Sequence, residues 1–506
     1  MKKEILVTSL LVATGALAAI AQTKLPNVVY INADDLGYGD ISCNGMTRIK
    51  TPNVDRVAEQ GVRHTNMHVT SATSTPSRFS LLTGKYAWRV NGTGVAPGDA
   101  AMIVKDDMKT LPDMMQRAGY TTAAIGKWHL GLGAERGKQN WNGEITPGLK
   151  DIGFDYSYIM AATGDRVPCV YIENSRVADL DPNDPISVSY KAPFEGLPTG
   201  KNNPEMLKLH PSHGHDQALI NGVSRIGYMK GGTSALWRDE DIADRLTSKA
   251  VDFIERQAQT DKPFFLYFCT NDIHVPRVPH ERFVGKSGMG ARGDAILEFD
   301  WSVGQVLDVL DSLGLADNTL VIITSDNGPV VDDGYKDRAV ELLGDHKPWG
   351  NMRGGKYSIF EAGTCVPMVV RMPGRVRAGR VSDAALSNVD IFASLAALVG
   401  EELELGEAPD SENHLSSFLG NKRSGRRLIV EDALTRSITC DGWKYIRASD
   451  RVRYSKETNT EYGTDSAEQL YDLRSDEGER KNVASRYPSR VAKLRSMLLL
   501  EEARVD

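Results

Sequence analysis

Cysteine is scarce in this chain and is not placed as a framework. Cys43, Cys169, Cys269, Cys365 and Cys440 are scattered over 506 residues. An odd, dispersed set shows neither a disulfide scaffold nor metal-site spacing, and leaves open one pair in an oxidising compartment. Basic charge is not in excess either. Lys and Arg number 60 against 67 Asp and Glu, for a formal net charge of -7 and a pI near 5.9. That balance excludes broad electrostatic capture of nucleic acid, so any anion site must be local. Beyond residue 21 no stretch is apolar enough to span a bilayer, and there are no internal repeats. Histidine is limited to ten residues, three of them between Leu209 and Asp216. A zinc reading of that loop lacks further Cys or His ligands nearby.

What the chain has is length, a leader and a set of polar strand ends. A length of 506 residues predicts about three domain-sized units, and 41% hydrophobic with 25% charged residues is ordinary globular composition. Met1-Lys2-Lys3 is basic, Ile5 to Ile20 is apolar and small, and Ala19-Ile20-Ala21 offers a cleavage site. Residues 1–21 read as a secretory signal peptide, and the protein is expected in the periplasm or outside the cell. Residues 22–425 read as one large α/β unit and 426–506 as a small α+β subdomain.

The stretch that organises the rest is Ser74-Thr75-Pro76-Ser77-Arg78-Phe79-Ser80-Leu81-Leu82-Thr83-Gly84-Lys85. Thr75 suits an N-cap, Pro76 the first helical position and Gly84 a stop, which predicts a short helix with Ser74 just ahead of it. Arg78 lies four residues on, and helical side chains lean toward the N-terminus, so its guanidinium can reach over Ser74. A hydroxyl, a helix N-terminus and a guanidinium together suit a tetrahedral anion.

Continuous apolar runs predict buried strands at Asn27 to Asn32, Tyr120 to Ile125, Phe264 to Cys269, Leu320 to Thr324 and Val366 to Met372. Helices are expected at Asn53 to Val62, Leu111 to Ala118, Asp244 to Ala258 and Asp294 to Leu313. This alternation implies a mostly parallel sheet covered by helices on both faces. Four strands end in Asp34/Asp35, Lys127/His129, His274 and Asp326/Asn327. In such sheets ligands bind at the carboxyl ends of the strands. Adjacent carboxylates such as Asp34 and Asp35 repel unless a cation or donors neutralise them. In the C-terminal region, Arg427 to Val430 and Trp443 to Ile446 read as strands and Arg486 to Ala503 as an amphipathic helix.

The dodecapeptide resembles the signature of the type I sulfatases, in which the first residue is converted to formylglycine. Asp34-Asp35-Leu36-Gly37-Tyr38-Gly39-Asp40, Gly126-Lys127-Trp128-His129-Leu130-Gly131, Asp326-Asn327-Gly328 and Arg353-Gly354-Gly355-Lys356 resemble further motifs of that family, in family order. Gln469-Leu470-Tyr471-Asp472-Leu473 with Asn482 resembles its C-terminal unit. The resemblance implies an alkaline-phosphatase-like fold and a calcium site, less readily a magnesium site, built from Asp34, Asp35, Asp326, Asn327 and modified Ser74. It further implies sulfate contacts from Arg78, Lys127 and Lys356, a maturase acting on Ser74, and no nucleic-acid partner. Hydration of the aldehyde to a geminal diol would let one hydroxyl attack sulfur and the other expel sulfate as the carbonyl re-forms. His129 is the expected base for that collapse and His274 the expected acid at the leaving oxygen.

Two rival readings remain at this stage: a phosphatase or phosphodiesterase on the same fold, and an unmodified binder of sulfated glycans. Carboxylates and an amide at the metal positions favour one hard cation over the histidine-rich zinc pairs of the phosphatases. The loops holding Asp165, Arg166, His213, His215 and Lys230 resemble bacterial carbohydrate sulfatases acting on galactose, N-acetylgalactosamine or N-acetylglucosamine. With His346 and Arg353 these residues are expected to frame a sugar subsite.

Overall fold

The computed structural model describes residues 24–504, so the expected leader lies outside the described residues. The predicted strands form the middle of an eleven-stranded sheet. Thr319–Ser325, Asn27–Ala33, Phe264–Cys269, Thr121–Lys127 and Tyr156–Met160 lie side by side and parallel. Val28 pairs with Phe265 on one side and Leu320 on the other. Every residue of the first three is buried, as a sheet covered on both faces requires. Cys365–Arg371 joins antiparallel to Thr319–Ser325, so the sheet is mixed toward that edge.

Helices Pro52–Gln60, Ile242–Gln257 and Gly290–Ser312 pack together, while Ser74–Thr83, Leu111–Arg117 and Ile391–Val399 form a second group. Each predicted helix is present with its ends shifted by a few residues. One expectation fails at residue 62: the helix stops at Gln60, and Val62–His68 is a strand between Cys365–Arg371 and Arg380–Ser382. Its sequence, Val-Arg-His-Thr-Asn-Met-His, has no apolar run, and neighbouring strands rather than propensity place it in the sheet.

The C-terminal region forms a four-stranded antiparallel sheet, Leu428–Asp432, Arg436–Cys440, Trp443–Ile446 and Gln469–Asp472, packed by helix Pro488–Ala503. Val430, Ile438, Tyr445, Leu470, Leu494 and Leu498 build its core, which Tyr86 and Val389 of the large unit complete. Its first strand also reaches the segment just before helix Ser74–Thr83: Asp432 N donates to Thr70 O at 2.9 Å and Ala72 N to Asp432 O at 3.2 Å. Among the described residues no helix is long and apolar enough to cross a membrane.

Candidate active site

The parallel strands bring their carboxyl ends to one edge, and the chemistry-bearing residues gather there. Helix Ser74–Thr83 starts at this edge, entirely buried. Its N-cap is Thr73, so Ser74 is the first helical residue rather than the residue before it. Pro76 is tolerated because the first turn has no N–H partner to lose. Thr75 does not cap; its hydroxyl donates to His129 O at 3.0 Å and accepts from Ala96 N at 3.1 Å, tying the helix to the His129 turn. Gly84 ends the helix at φ +62, as its lack of a Cβ allows.

Arg78 reaches back over the helix start. Its Nε donates to Ser74 Oγ and to Asp326 Oδ2, both at 2.9 Å, and Ser74 Oγ itself donates to Asp326 Oδ2. Lys127 Nζ is 2.6 Å from Asp34 Oδ2 and 3.7 Å from Asp326 Oδ2. Lys356 Nζ lies 3.0 Å from Asp35 Oδ2 and 2.8 Å from Asp333 Oδ2. Asn327 Nδ2 donates to Asp35 Oδ1 at 2.8 Å. All of these side chains are buried.

The electrostatics show a deficit of positive charge around one carboxylate. Burial, with the charges of Asp326 and Asp35, pushes the Asp34 carboxyl well up against the pull of Lys127. Burial works the same way on Asp326, yet Arg78 and Lys127 hold it well below the usual range. Asp34 Oδ1 and Asn327 Oδ1 are buried without a hydrogen-bond partner. Orphaned oxygens among three carboxylates and an amide fit a hard divalent cation with oxygen ligands. Ligand atoms of Asp34, Asp35 and His274 also lie within 4.8 Å of one another.

The two histidines present different nitrogens. His129 Nε2 donates to Ala96 O at 2.9 Å, leaving Nδ1 buried and unpaired. His274 Nδ1 donates to Val275 O at 2.7 Å, which leaves Nε2 on the side of Asp35 Oδ2, 3.8 Å away. Burial holds both imidazoles well below their ordinary pKa, helped by Lys127 and Arg166 around His129 and by Lys356 and Lys127 around His274.

A cavity over Ser74 is lined by His129, His274 and Lys356 together with Asp165, Arg166 and His215. His215 Nε2 donates to Asp165 Oδ2 at 2.9 Å and Nδ1 to His213 O at 3.0 Å. Acceptors at both ring nitrogens hold an imidazolium. Arg166 Nη1 closes on Asp165 at 2.8 Å. Asp35, His129, His215 and Tyr357, all at this site, have positive φ, a strained backbone state that persists where surrounding structure enforces it.

The other expected sugar residues stand elsewhere. His213 contributes its carbonyl to His215 but does not line the cavity. Lys230 is exposed with Nζ 5.3 Å from the Phe194 ring centroid, at an apolar groove of the same insertion. His346 donates to Asp40 Oδ1 at 2.8 Å beside Arg292, bracing the turn after Asp35. Arg353 pairs with Glu461 at 2.6 Å and lies over the Phe360 ring, held by the C-terminal region. A loop resemblance for His213 and Lys230, and charged or imidazole character for His346 and Arg353, brought these into the expected subsite; their hydrogen-bond, carboxylate and ring partners explain where they stand. Conversely, Asp333 and Tyr357 line the cavity without having been singled out. The adjacent acids Asp332-Asp333, five residues beyond Asn327, were the available signal.

The family model described as Sulfatase matches residues 26–401. This chain belongs to the sulfatase family. It is 53% identical over 478 residues to an N-acetylgalactosamine-6-O-sulfatase of Bacteroides thetaiotaomicron, covering 94% of this chain and 93% of that protein. Human arylsulfatase A is 31% identical over 403 residues, covering 78% of this sulfatase and 68% of the human protein. A solved chain from work on metabolism of multiple glycosaminoglycans by Bacteroides thetaiotaomicron superposes with a TM-score of 0.93 at 52% identity, over 95% of this chain and 100% of that one. The alkaline-phosphatase-like sulfatase fold and the activity class, hydrolysis of sulfuric esters, follow from these matches.

Proposed function

We propose that this sulfatase is an exo-acting carbohydrate sulfatase. Its substrate is a sulfate ester on a galactose, N-acetylgalactosamine or N-acetylglucosamine unit of a host mucin O-glycan or glycosaminoglycan. N-acetylgalactosamine 6-sulfate stands first, because that is the substrate named for the 53% identical relative. The observation that carries the reading is that one cavity is lined both by Ser74 and Lys356, with Arg78 bonded to Ser74, and by the Asp165–Arg166–His215 triad. The first set suits a sulfuryl group; the second offers directional donors and an acceptor for sugar hydroxyls.

Formylglycine at Ser74, made by a maturase, would supply a hydrated aldehyde able to attack sulfur and later release sulfate. Asp34, Asp35, Asp326, Asn327 and Ser74 would hold the calcium ion, whose charge favours an ionised hydroxyl at position 74. The remaining work falls to side chains. Arg78 Nε fixes the oxygen at position 74. Lys127 and Lys356 stabilise charge on the sulfuryl oxygens. The free Nδ1 of His129 accepts a proton as sulfate is expelled, and its lowered pKa keeps that lone pair available. His274 Nε2 is the candidate donor to the leaving sugar oxygen; Nδ1 already holds the proton given to Val275 O, so the step uses the doubly protonated ring, which burial, Lys356 and Lys127 oppose and an arriving anion favours. Secretion rests on the apolar leader of residues 1–21.

A panel of monosulfated sugars tests the substrate. Release of sulfate from N-acetylgalactosamine 6-sulfate is expected to exceed that from every other regioisomer. Activity confined to small aryl sulfates would overturn the carbohydrate reading. Intact mass two hydrogens lighter than the serine form is the expected signature of the modification.

A further inference from the structure

Asp333 has no part in the chemistry above, yet it is a carboxylate placed where an anion must bind. It is 7% exposed and lines the cavity over Ser74. Its Oδ2 accepts from Lys356 Nζ at 2.8 Å and its Oδ1 from the Tyr357 hydroxyl at 3.1 Å. Tyr357 is held at φ +74, a state costly for a bulky residue, with its N–H donating to Ala72 O at 2.8 Å. The strained backbone thus presents both partners of Asp333, Lys356 and Tyr357, from one dipeptide. Such a built arrangement places a fixed negative charge beside the lysine that meets the incoming anion.

The consequence is a matter of charge. A sulfate monoester carries one negative charge, whereas a phosphate monoester above its second pKa, about 6, carries nearly two. Among the arginines, lysines and carboxylates of the pocket, Arg78, Lys127, Lys356 and Arg166 match Asp34, Asp35, Asp326 and Asp165 in number, so Asp333 is the acid left over. Whatever cation the acidic edge holds, Asp333 lowers the positive charge facing the ligand by one unit. We infer that Asp333 is the residue by which this sulfatase pocket discriminates monoanionic sulfate esters from dianionic phosphate esters. The inference rests on the sulfatase reading of the Ser74 pocket but not on the identity of the sugar. Coulomb energy scales with the product of charges, so the Asp333 carboxylate opposes a dianion twice as strongly as a monoanion. A purely supportive role, holding Lys356 in place, would by the same product of charges cost the dianion more, so its loss would lower the phosphate-to-sulfate ratio rather than raise it.

The test is a binding comparison at pH 8 on the full-length calcium-loaded protein. Ser74→Ala serves as background so that intact esters persist. N-acetylgalactosamine 6-sulfate and 6-phosphate are titrated by calorimetry, alongside 4-nitrophenyl sulfate and phosphate. In the Ser74→Ala, Asp333→Asn double variant the phosphate-to-sulfate affinity ratio is expected to rise by about tenfold or more. Asp333→Glu, which keeps the charge, is expected to retain the parental ratio. An unchanged or lowered ratio with Asp333→Asn, even if both affinities fall, overturns the proposal. If the sugar pair fails to bind and the aryl pair binds, the substrate reading falls and the aryl ratio decides this one. Failure of both pairs overturns both. Melting temperatures of the variants identify loss by unfolding, and Asp333→Ser, which also removes the charge, then takes the place of Asp333→Asn.

Discussion

Among the described residues, two buried groups of three carboxylates are built to opposite ends. At the strand edge, Asp34, Asp35 and Asp326 are met by lysines and an arginine from the side, and Asp34 Oδ1 and Asn327 Oδ1 are left unpaired. At the seam with the C-terminal sheet, Glu361, Glu431 and Glu479 surround Lys444, whose Nζ lies 2.7, 3.3 and 3.5 Å from them. His68 Nδ1 adds a donor to Glu431 at 2.8 Å, and Thr364 and Ser437 hydroxyls add two more. The second cluster carries its own cation at its centre and leaves one orphaned oxygen, Glu479 Oε1, whereas the first has its cations at the rim and two orphaned oxygens inside. A cluster built around its own lysine holds two units of the chain together; one with cations only at its rim, beside the cavity over Ser74, is arranged to receive charge from outside. Neither buried charge nor a single orphaned oxygen therefore marks a site; carboxylates with no cation among them do.

The largest effect separating the regions is expected at Ser74. Ser74→Ala is expected to lower kcat by at least about 10⁴-fold, the scale on which loss of a nucleophile acts. Its melting temperature should stay near the parental value, since a small side chain at a helix start is removed. Near-normal turnover would dissolve the distinction drawn above. Lys444→Met should do the reverse. It strands buried carboxylates and is expected to destabilise the protein by about 3–5 kcal/mol. Denaturant unfolding measures that loss, and kcat per folded molecule should hold. If Lys444→Met instead removed activity from fully folded protein, the seam cluster would belong to the catalytic apparatus.

This difference between the clusters was only half visible in the sequence. Asp34/Asp35, Lys127/His129, His274 and Asp326/Asn327 could be placed on one edge, because each follows an apolar run and parallel strands share a direction. Ser74 and Arg78 could be joined, because helical spacing fixes side-chain direction. The seam cluster was out of reach: Glu361, Glu431 and Lys444 come from distant segments whose meeting is set by docking of the two sheets. His346 and Arg353 read as sugar contacts because imidazole and charged groups suit hydroxyls, yet their partners, Asp40 and Glu461, lie 306 and 108 positions away. Strand Val62–His68 was hidden for a related reason, since its place in the sheet is imposed by neighbours. Loop residues were legible where the backbone neighbours them, as in Asp165-Arg166, and not where a strained turn presents them, as in Tyr357.

The next effect in size concerns the acidic strand edge against the seam with its central lysine. Calcium at 100 times its Kd is expected to stabilise the protein by about 2.7 kcal/mol, read as a rise in melting temperature. Asp326→Ala should remove most of that rise, because it takes away one ligand oxygen set while Asp34 and Asp35 keep repelling each other. Lys444→Met should leave the calcium increment unchanged. Stoichiometric zinc in place of calcium or magnesium by elemental analysis would count against the oxygen-ligand model.

The smallest effect is a pH dependence confined to the sugar side of the cavity, and the seam supplies its control. Burial opposes protonation of His215, but Asp165 and the His213 carbonyl raise its pKa above the ordinary 6.5. Burial likewise works to raise Asp165, while Arg166 and His215 hold it well below 3.8. A raised histidine contributes stability that is fully present below its unfolded pKa and fades as pH rises through the folded value. A depressed carboxyl contributes stability that is present above its unfolded pKa and fades as pH falls through the folded value. The pair is therefore intact from about pH 4 up to the raised His215 pKa, and loses its charge on the alkaline side first. His215→Gln keeps a donor toward Asp165 but cannot titrate. The parent is expected to lose stability on the order of 1 kcal/mol relative to this variant as pH is raised across that limb. His68 in the seam, also raised by Glu431 against its burial, loses its share in the same direction, so parent and variant must be compared rather than the parent alone. In kinetics, kcat/KM for the sulfated sugar should fall with the same limb in the parent and not in His215→Gln, while an aryl sulfate should show no such difference. Identical pH profiles for parent and variant on both substrates would place His215 outside sugar recognition.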